Sequence, residues 1–157
     1  MRARGCVTGR LTLLAGIAGI AALDLATKAW ALTLPASGLS ILPFFDLRLG
    51  FNTGVSFGLF AAEGVHGYVV LLAATLTASI FFLYLAWGAR RVLERAGYGA
   101  IVGGAFGNLI DRLPDGVVTD FLDVHAGGWH FPTFNLADVA ISAGVGLLLL
   151  GALRRRS

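Results

Sequence analysis

Apolar residues fall into four long stretches of the chain, and polar residues gather between them. The stretches cover about residues 11–34, 67–87, 98–113 and 136–153. The last is about 18 residues long, roughly 27 Å as a helix, which matches the hydrocarbon thickness of a bilayer. The first, of about 24 residues, is long enough to span with tilt. The second carries no charged side chain, and its Tyr68, Tyr84 and Trp87 suit the two interfaces. The third is short, with Gly99, Gly103 and Gly107 one turn apart. That spacing strips side chains from one helix face and lets a neighbour approach closely. The pattern predicts four transmembrane helices in one integral membrane domain covering residues 1–157.

Between the stretches the periodicity changes. Residues 35–65 are punctuated by Pro35, Gly38, Pro43, Gly50, Gly54, Gly58 and Gly64. Inside them Phe45, Leu47, Leu49 and Phe51 alternate with Asp46, Arg48, Gly50 and Asn52, which predicts a strand with the polar set on one face. A strand beside a membrane must pair or lie at the interface. Residues 114–134 leave the membrane again. Residues 117–124 are β-branched and apolar enough for a strand, Ala126-Gly127-Gly128 is a turn, and 129–134 can return. Arg90, Arg91, Glu94 and Arg95 form the loop between the second and third stretches.

Composition agrees with a membrane location. Apolar residues make up 57% and charged residues 13% of the 157, and the mean hydropathy is +0.80. Soluble domains run nearer 45–50% apolar and about 25% charged. The pI of about 9.6 could suggest nucleic acid, but the placement of the basic residues argues against it. Arg2, Arg4, Arg10, Arg90, Arg91, Arg95, Arg154, Arg155 and Arg156 all belong to the two tails and the middle loop, with Glu94 the one acid among them. The positive-inside rule then puts both termini in the cytoplasm. Asp24, Lys28, Asn52, Asn108, Asp111, Arg112, Asp120 and Asp138 all fall at the outer leaflet. The single cysteine, Cys6, excludes an internal disulfide. A positive start followed by an apolar run also describes a cleaved signal peptide, but this run is too long and carries Asp24 and Lys28 in its outer third.

Carboxylates at the rim of a span are expensive and usually mark function. Asn135 stands where an N-cap should, and Asp138 falls at the third helical position, where a carboxylate also meets the helix dipole. Asp138 is therefore a cap, a functional group or both. Two adjacent carboxyls titrate apart, so one can take a proton from water while the other donates to a carbonyl oxygen. That chemistry needs no metal or other cofactor. Asp120 and Asp138 are the candidate pair, with Asp111 and Asp24 as competitors that composition does not eliminate. Arg112, adjacent to Asp111, would keep that carboxyl ionised and structural. Asp24 and Lys28, one turn apart, can pair locally. Asp120, Asp123, His125 and His130 offer a metal alternative, though no helical ligand spacing supports it. A third reading makes Asp24, Asp111 and Asp138 a proton or ion relay. Relays need polar groups through the membrane depth, which the inner halves of the stretches lack.

Five segments together resemble lipoprotein signal peptidase, the signal peptidase II family. They are DLATK at 24–28, FNTGVSFG at 51–58, GGAFGNLIDR at 103–112, VTDF at 118–121 and FPTFNLAD at 131–138. Leu25 stands where the family commonly has Gln, and Val55-Ser56 where two Ala are usual. The resemblance implies an aspartyl endopeptidase of the bacterial inner membrane, and the chain is expected to work as a monomer. It would cleave the signal peptide from diacylglyceryl-modified prolipoproteins just before the lipidated cysteine, and its other partner would be membrane lipid. It also implies Asp120 and Asp138 as the catalytic pair, and Asp24, Lys28, Asn52, Gly54, Asn108, Asp111, Arg112, Asn135 and Ala137 as residues that shape the site. The implied fold has four transmembrane helices, a small β-sheet cradle and a periplasmic loop with helical character. That last feature conflicts with the hairpin expected for 117–133 from the residues themselves.

Overall fold

A computed structural model describes residues 2–54 and 64–155. The second half of the FNTGVSFG segment, with Val55 and Ser56, lies outside them. The elements are α1 (Arg2–Ala31), β1 (Leu39–Leu42), β2 (Phe45–Asn52), α2 (Gly64–Gly88), α3 (Val92–Arg112), β3 (Val118–Ala126), β4 (Trp129–His130) and α4 (Leu136–Leu153). Among the described residues three segments are long and apolar enough to cross a membrane: Gly9–Ala31, His66–Gly88 and Leu136–Leu153. Many of their large apolar side chains are exposed, among them Leu11, Val70, Ile80 and Leu149. Such surfaces belong in lipid rather than water.

Helix α3 differs from the other three. It has 21 residues, carries charged groups at both ends, and packs against α1, α2 and α4. Enclosure by neighbours, rather than apolarity all round, accounts for its burial. Its start at Val92 puts Glu94 and Arg95 in the first helical turn, not in the preceding loop. Helix α1 likewise stops at Ala31, and hydrogen bonds from Leu32, Thr33 and Leu34 to carbonyls three or four residues back form a terminal turn.

Two glycine faces let α3 sit this deeply. On one, Gly99, Gly103 and Gly107 meet α1, as their spacing predicts. A Cβ at Gly103 would lie 2.9 Å from the Ile20 Cβ and 3.1 Å from the Ile17 carbonyl oxygen. The other face carries Gly97 and Gly104, which the four-residue repeat does not include. A Cβ on Gly97 would lie 2.8 Å from the carbonyl oxygen of Gly144 on α4, and one on Gly144 would lie 2.6 Å from that of Gly97. Backbone therefore rests on backbone between α3 and α4. Val102, between Gly99 and Gly103, lies in the core with Leu13, Ile17 and Ala86.

The strands form one antiparallel sheet in the order β1-β2-β3-β4. β1 was not apparent from the sequence, because four residues are too few to show a period. The β3–β4 hairpin has the position expected from the residue pattern, turning at Gly127 and Gly128, both with positive φ. Residues 113–135 contain no helix, so the helical character implied by the resemblance is not found in this loop. β4 is only two residues long, and the return continues as a single bridge between Phe134 and Leu122.

Overpacking at a close helix contact costs about 1–3 kcal/mol, and more where the neighbour is backbone. Gly103→Leu should therefore lower the thermal unfolding midpoint in detergent by several degrees. Val145→Leu, on the exposed side of α4, should leave it unchanged. Equal midpoints for both variants would refute the packing role of the glycine face.

Candidate active site

The first turn of α4 forms one side of the site. Asn135 is the N-cap: its side-chain oxygen accepts the Asp138 backbone N–H at 3.1 Å, and the Asp138 carboxylate accepts the Asn135 N–H at 3.3 Å. This is the reciprocal capping box. Asp138 is thus a cap, as its position implied, yet its other oxygen remains available and accepts from Asn108 Nδ2 at 2.9 Å.

Asp120 comes to the same place on β3. Its neighbour across the sheet is Gly50, where a Cβ would come within 2.8 Å of the Thr133 hydroxyl. The register slips by one residue between Leu47 and Gly50, and that slip determines which polar groups meet. Cross-strand partners share a face and faces alternate along a strand. Asp46 therefore pairs with Asp123 on one face, whereas Gly50 pairs with Asp120 on the other. The polar set of β2, expected on one face, is divided between two. Asn52 stays on the Asp120 side and donates to its carboxylate at 3.2 Å.

A second amide contact joins the two carboxylates. Asn135 Nδ2 donates to Asp120 at 2.6 Å while its Oδ1 caps the helix of Asp138. Three asparagines, Asn52, Asn108 and Asn135, thus hold Asp120 and Asp138. Amides suit this role because they donate without titrating. Asp120 is 2% exposed, and burial together with the neighbouring charge of Asp138 pushes its carboxyl up to about 6. The bonds from Asn135 and Asn52 act in the opposite direction.

Behind the pair lies a buried ionic cluster. Lys28 Nζ contacts Asp24 at 2.8 Å, Asp111 at 3.4 Å and Asn108 Oδ1 at 2.7 Å. Asp24 also accepts the backbone N–H of Ala137 at 2.8 Å, which ties α1 to the start of α4. Gly107 leaves room for this carboxylate, since a Cβ there would lie 2.5 Å from its Oδ2. Asp111 accepts the Thr119 N–H at 2.7 Å and so holds the strand that carries Asp120. Arg112 does not pair with Asp111, as its adjacency suggested. It donates to the Gly54 carbonyl at 3.1 Å and that of Asn52 at 3.5 Å.

A cavity of about 1320 Å³ opens in front of the pair. Asp120 and Asp138 are the only acidic residues on its wall among the described residues; Asn52, Gly54, Asn108 and Arg112 also line it. Asp24, Asp111, Lys28, Asn135 and Ala137 support the wall from behind. Toward the membrane the lining becomes apolar, with Leu71 and Val139 beside Thr75 and Ser142. Sequence reasoning missed Thr119 and Tyr68. Thr119 acts through its backbone amide, which no residue type reveals. The Tyr68 hydroxyl donates to the Leu113 carbonyl at 3.1 Å, at the end of α3.

The four residues of the metal alternative do not meet at one point: Asp123, His125 and His130 gather on one face of the sheet, with the two imidazoles stacked at 4.9 Å, and Asp120 lies on the other. His130 Nδ1 contacts Asp123 at 2.9 Å and His125 Nε2 contacts Asp46 at 3.2 Å, on the face opposite Asp120. Among the described residues no group of three or more His, Cys, Asp or Glu side chains could hold a metal ion.

The chain is similar to known proteins over most of its length. The pattern described as Signal peptidase (SPase) II matches residues 16–154. A lipoprotein signal peptidase of Rhodopseudomonas palustris is 44% identical over 154 residues, covering 92% of each chain. One of Beijerinckia indica is 40% identical over 134 residues, covering 83% of this chain and 80% of its own. Two solved structures described as bacterial membrane enzymes share the fold. One has a TM-score of 0.81 at 24% identity, covering 93% of this chain and 90% of its own. The other has 0.77 at 25% identity, covering 90% and 92%.

Removing one partner from a buried ionic cluster strands the others and costs about 3–5 kcal/mol. Lys28→Met should therefore destabilise the protein by that order, and adding Asp24→Asn should recover part of the loss. Unfolding in detergent measures both. Additive losses in the double variant would show that Lys28 and Asp24 act independently.

Proposed function

The chain belongs to the signal peptidase II family and is a membrane protease that removes the signal peptide from lipoprotein precursors; from that premise we propose that Asp120 and Asp138 perform the cleavage. The observation that carries this assignment is their joint exposure to one cavity, with Asn135 bonded to both. Asp24 and Asp111 are the weaker candidates because Lys28 occupies them both behind the wall.

The raised Asp120 carboxyl supports its role as the proton donor. Asp138 then acts as the base. A water between them attacks the scissile carbonyl carbon and gives its proton to Asp138, while Asp120 protonates the carbonyl oxygen. Collapse of the tetrahedral intermediate breaks the C–N bond, and the amine leaves with the proton held by Asp138. Asp120 recovers its own proton from the intermediate's hydroxyl. No step calls on a metal. Asn52, Asn108 and Asn135 orient the carboxyls, and Arg112 holds the Asn52–Gly54 backbone at the cavity rim. Asp24, Lys28, Asp111 and Ala137 fix α1, α3 and the start of α4 relative to one another.

We place this site at the outer leaflet of the bacterial inner membrane, with α3 as a fourth span and both termini cytoplasmic. Support comes from the nine arginines that the sequence gathers in the tails and middle loop. A diacylglyceryl-modified cysteine would enter from that leaflet, with its signal peptide along the apolar part of the cavity. Cleavage falls just before the cysteine, and the working unit is a monomer. The relay alternative is disfavoured by α2, whose buried Ser79 hydroxyl is satisfied by the Thr75 carbonyl of its own helix.

Asp120→Asn and Asp138→Asn should each abolish cleavage of a lipidated precursor by folded protein. Because Asp120 keeps its proton until about pH 6, the rate should fall as pH rises beyond that value and the one-proton state is lost. The same raised pKa means that stability is lost as pH rises from the unfolded value of 3.8 to about 6. Asp120→Asn should therefore raise the unfolding midpoint at pH 7 more than at pH 4. Near-wild-type turnover in either variant would overturn the assignment.

A cytoplasmic reporter fused after Ser157 should be active, and a periplasmic one silent. The opposite pattern would reverse the orientation.

A further inference from the structure

At the end of the bundle opposite the sheet, the α2–α3 connection and the end of α4 enclose a second cavity of about 810 Å³. Arg90, Arg91, Arg154 and Arg155 line it, with Glu94. The described arginines at this end divide into two groups. Arg10 lies over the Trp87 ring at 4.7 Å, Arg95 donates to the Ala89 carbonyl at 2.9 Å, and Arg155 pairs with Glu94 at 2.9 Å. Arg90, Arg91 and Arg154 have no side-chain partner among the described residues, and all three line the cavity. With the one acid neutralised by Arg155, the cavity holds three uncompensated cations. α3 begins on the same wall: its N-cap, Arg91, makes no side-chain capping bond, so the first amides of the helix lack acceptors there.

The floor is apolar. Gly151 and Leu93 form it, with the Leu93 Cβ 3.8 Å from where a Gly151 Cβ would lie. Val92 on the cavity wall is 83% exposed and Leu153, next to Arg154, is 65% exposed, so the arginines border a surface suited to acyl chains. A free phosphate would use the cations and leave that surface unused. We infer that this cavity binds the headgroup of an anionic phospholipid, its phosphate among Arg90, Arg91 and Arg154 and its chains along Val92 and Leu153. The site does not depend on the assignment of the catalytic pair; only the leaflet depends on the proposed orientation.

The test uses the full chain in nanodiscs of phosphatidylcholine doped with phosphatidylglycerol, with lipid retention read by native mass spectrometry. Wild type should retain phosphatidylglycerol over phosphatidylcholine. Each arginine near an anionic lipid contributes about fivefold in affinity, so Arg90→Gln/Arg154→Gln should weaken retention roughly 25-fold. Precursor cleavage by that variant in neutral detergent should stay at the wild-type rate, which shows that it folds. Arg10→Gln/Arg95→Gln removes the same charge from side chains that are already engaged, and should retain the lipid. Retention by the first variant equal to wild type would overturn the site. Equal loss in both variants would replace it with diffuse attraction, and displacement by inorganic phosphate would replace the lipid with a soluble anion.

Discussion

One ammonium group, that of Lys28, holds the polar end of this membrane protein together. It is 2% exposed and sits among Asp24, Asp111 and Asn108, so it joins α1 to α3. Through Asp24 it reaches the Ala137 amide of α4, and through Asp111 the Thr119 amide of β3. An ion buried at this depth has little solvation to fall back on, so its partners must stay in place. Asp120 and Asp138, which we propose as the catalytic pair, occupy the two elements anchored in this way. Their relative position is set by a cluster that does not itself line the cavity.

That cluster forms only because helices approach closely. A carboxylate fits against α3 at Gly107 and an amide of α4 faces Asp24, and both require helices nearly in backbone contact. Gly103 and Gly99 continue the contact along α1, while Gly97 and Gly144 do the same between α3 and α4. Without a hydrophobic force between helices in lipid, small residues and interhelical hydrogen bonds supply the association. Packing and polar bonding are therefore one device here, with the glycines setting the distance at which the ionic cluster closes.

Asn135 shows how stability and chemistry share a residue. Its amide oxygen caps α4 and its amide nitrogen holds Asp120. The helix cap thereby also sets the spacing of two carboxyls that repel one another. The raised Asp120 carboxyl is a stability cost at neutral pH, incurred at the group we propose as the proton donor.

Much of this was legible in the sequence. Apolar runs predicted the helices, alternation predicted β2 and the β3–β4 hairpin, and four-residue glycine spacing marked the α1 face of α3. The motif segments singled out the polar residues that the fold brings together. The resemblance, by contrast, implied helical character where the residue pattern correctly indicated a hairpin. Periodicity and composition act locally, and these features are local. Which carboxyls face the cavity was not local. It depends on a one-residue register slip in β2, on Lys28 reaching 80 positions along the chain to Asn108, and on Gly97 meeting Gly144. Arg112, read beside Asp111 in the sequence, turns away to the Gly54 carbonyl because a helix points adjacent residues in different directions. The sequence by itself determined which residues could do chemistry and that they lie beside a membrane. Only the tertiary structure decided which two carboxyls share the cavity, because that choice is made by contacts between segments far apart in the chain.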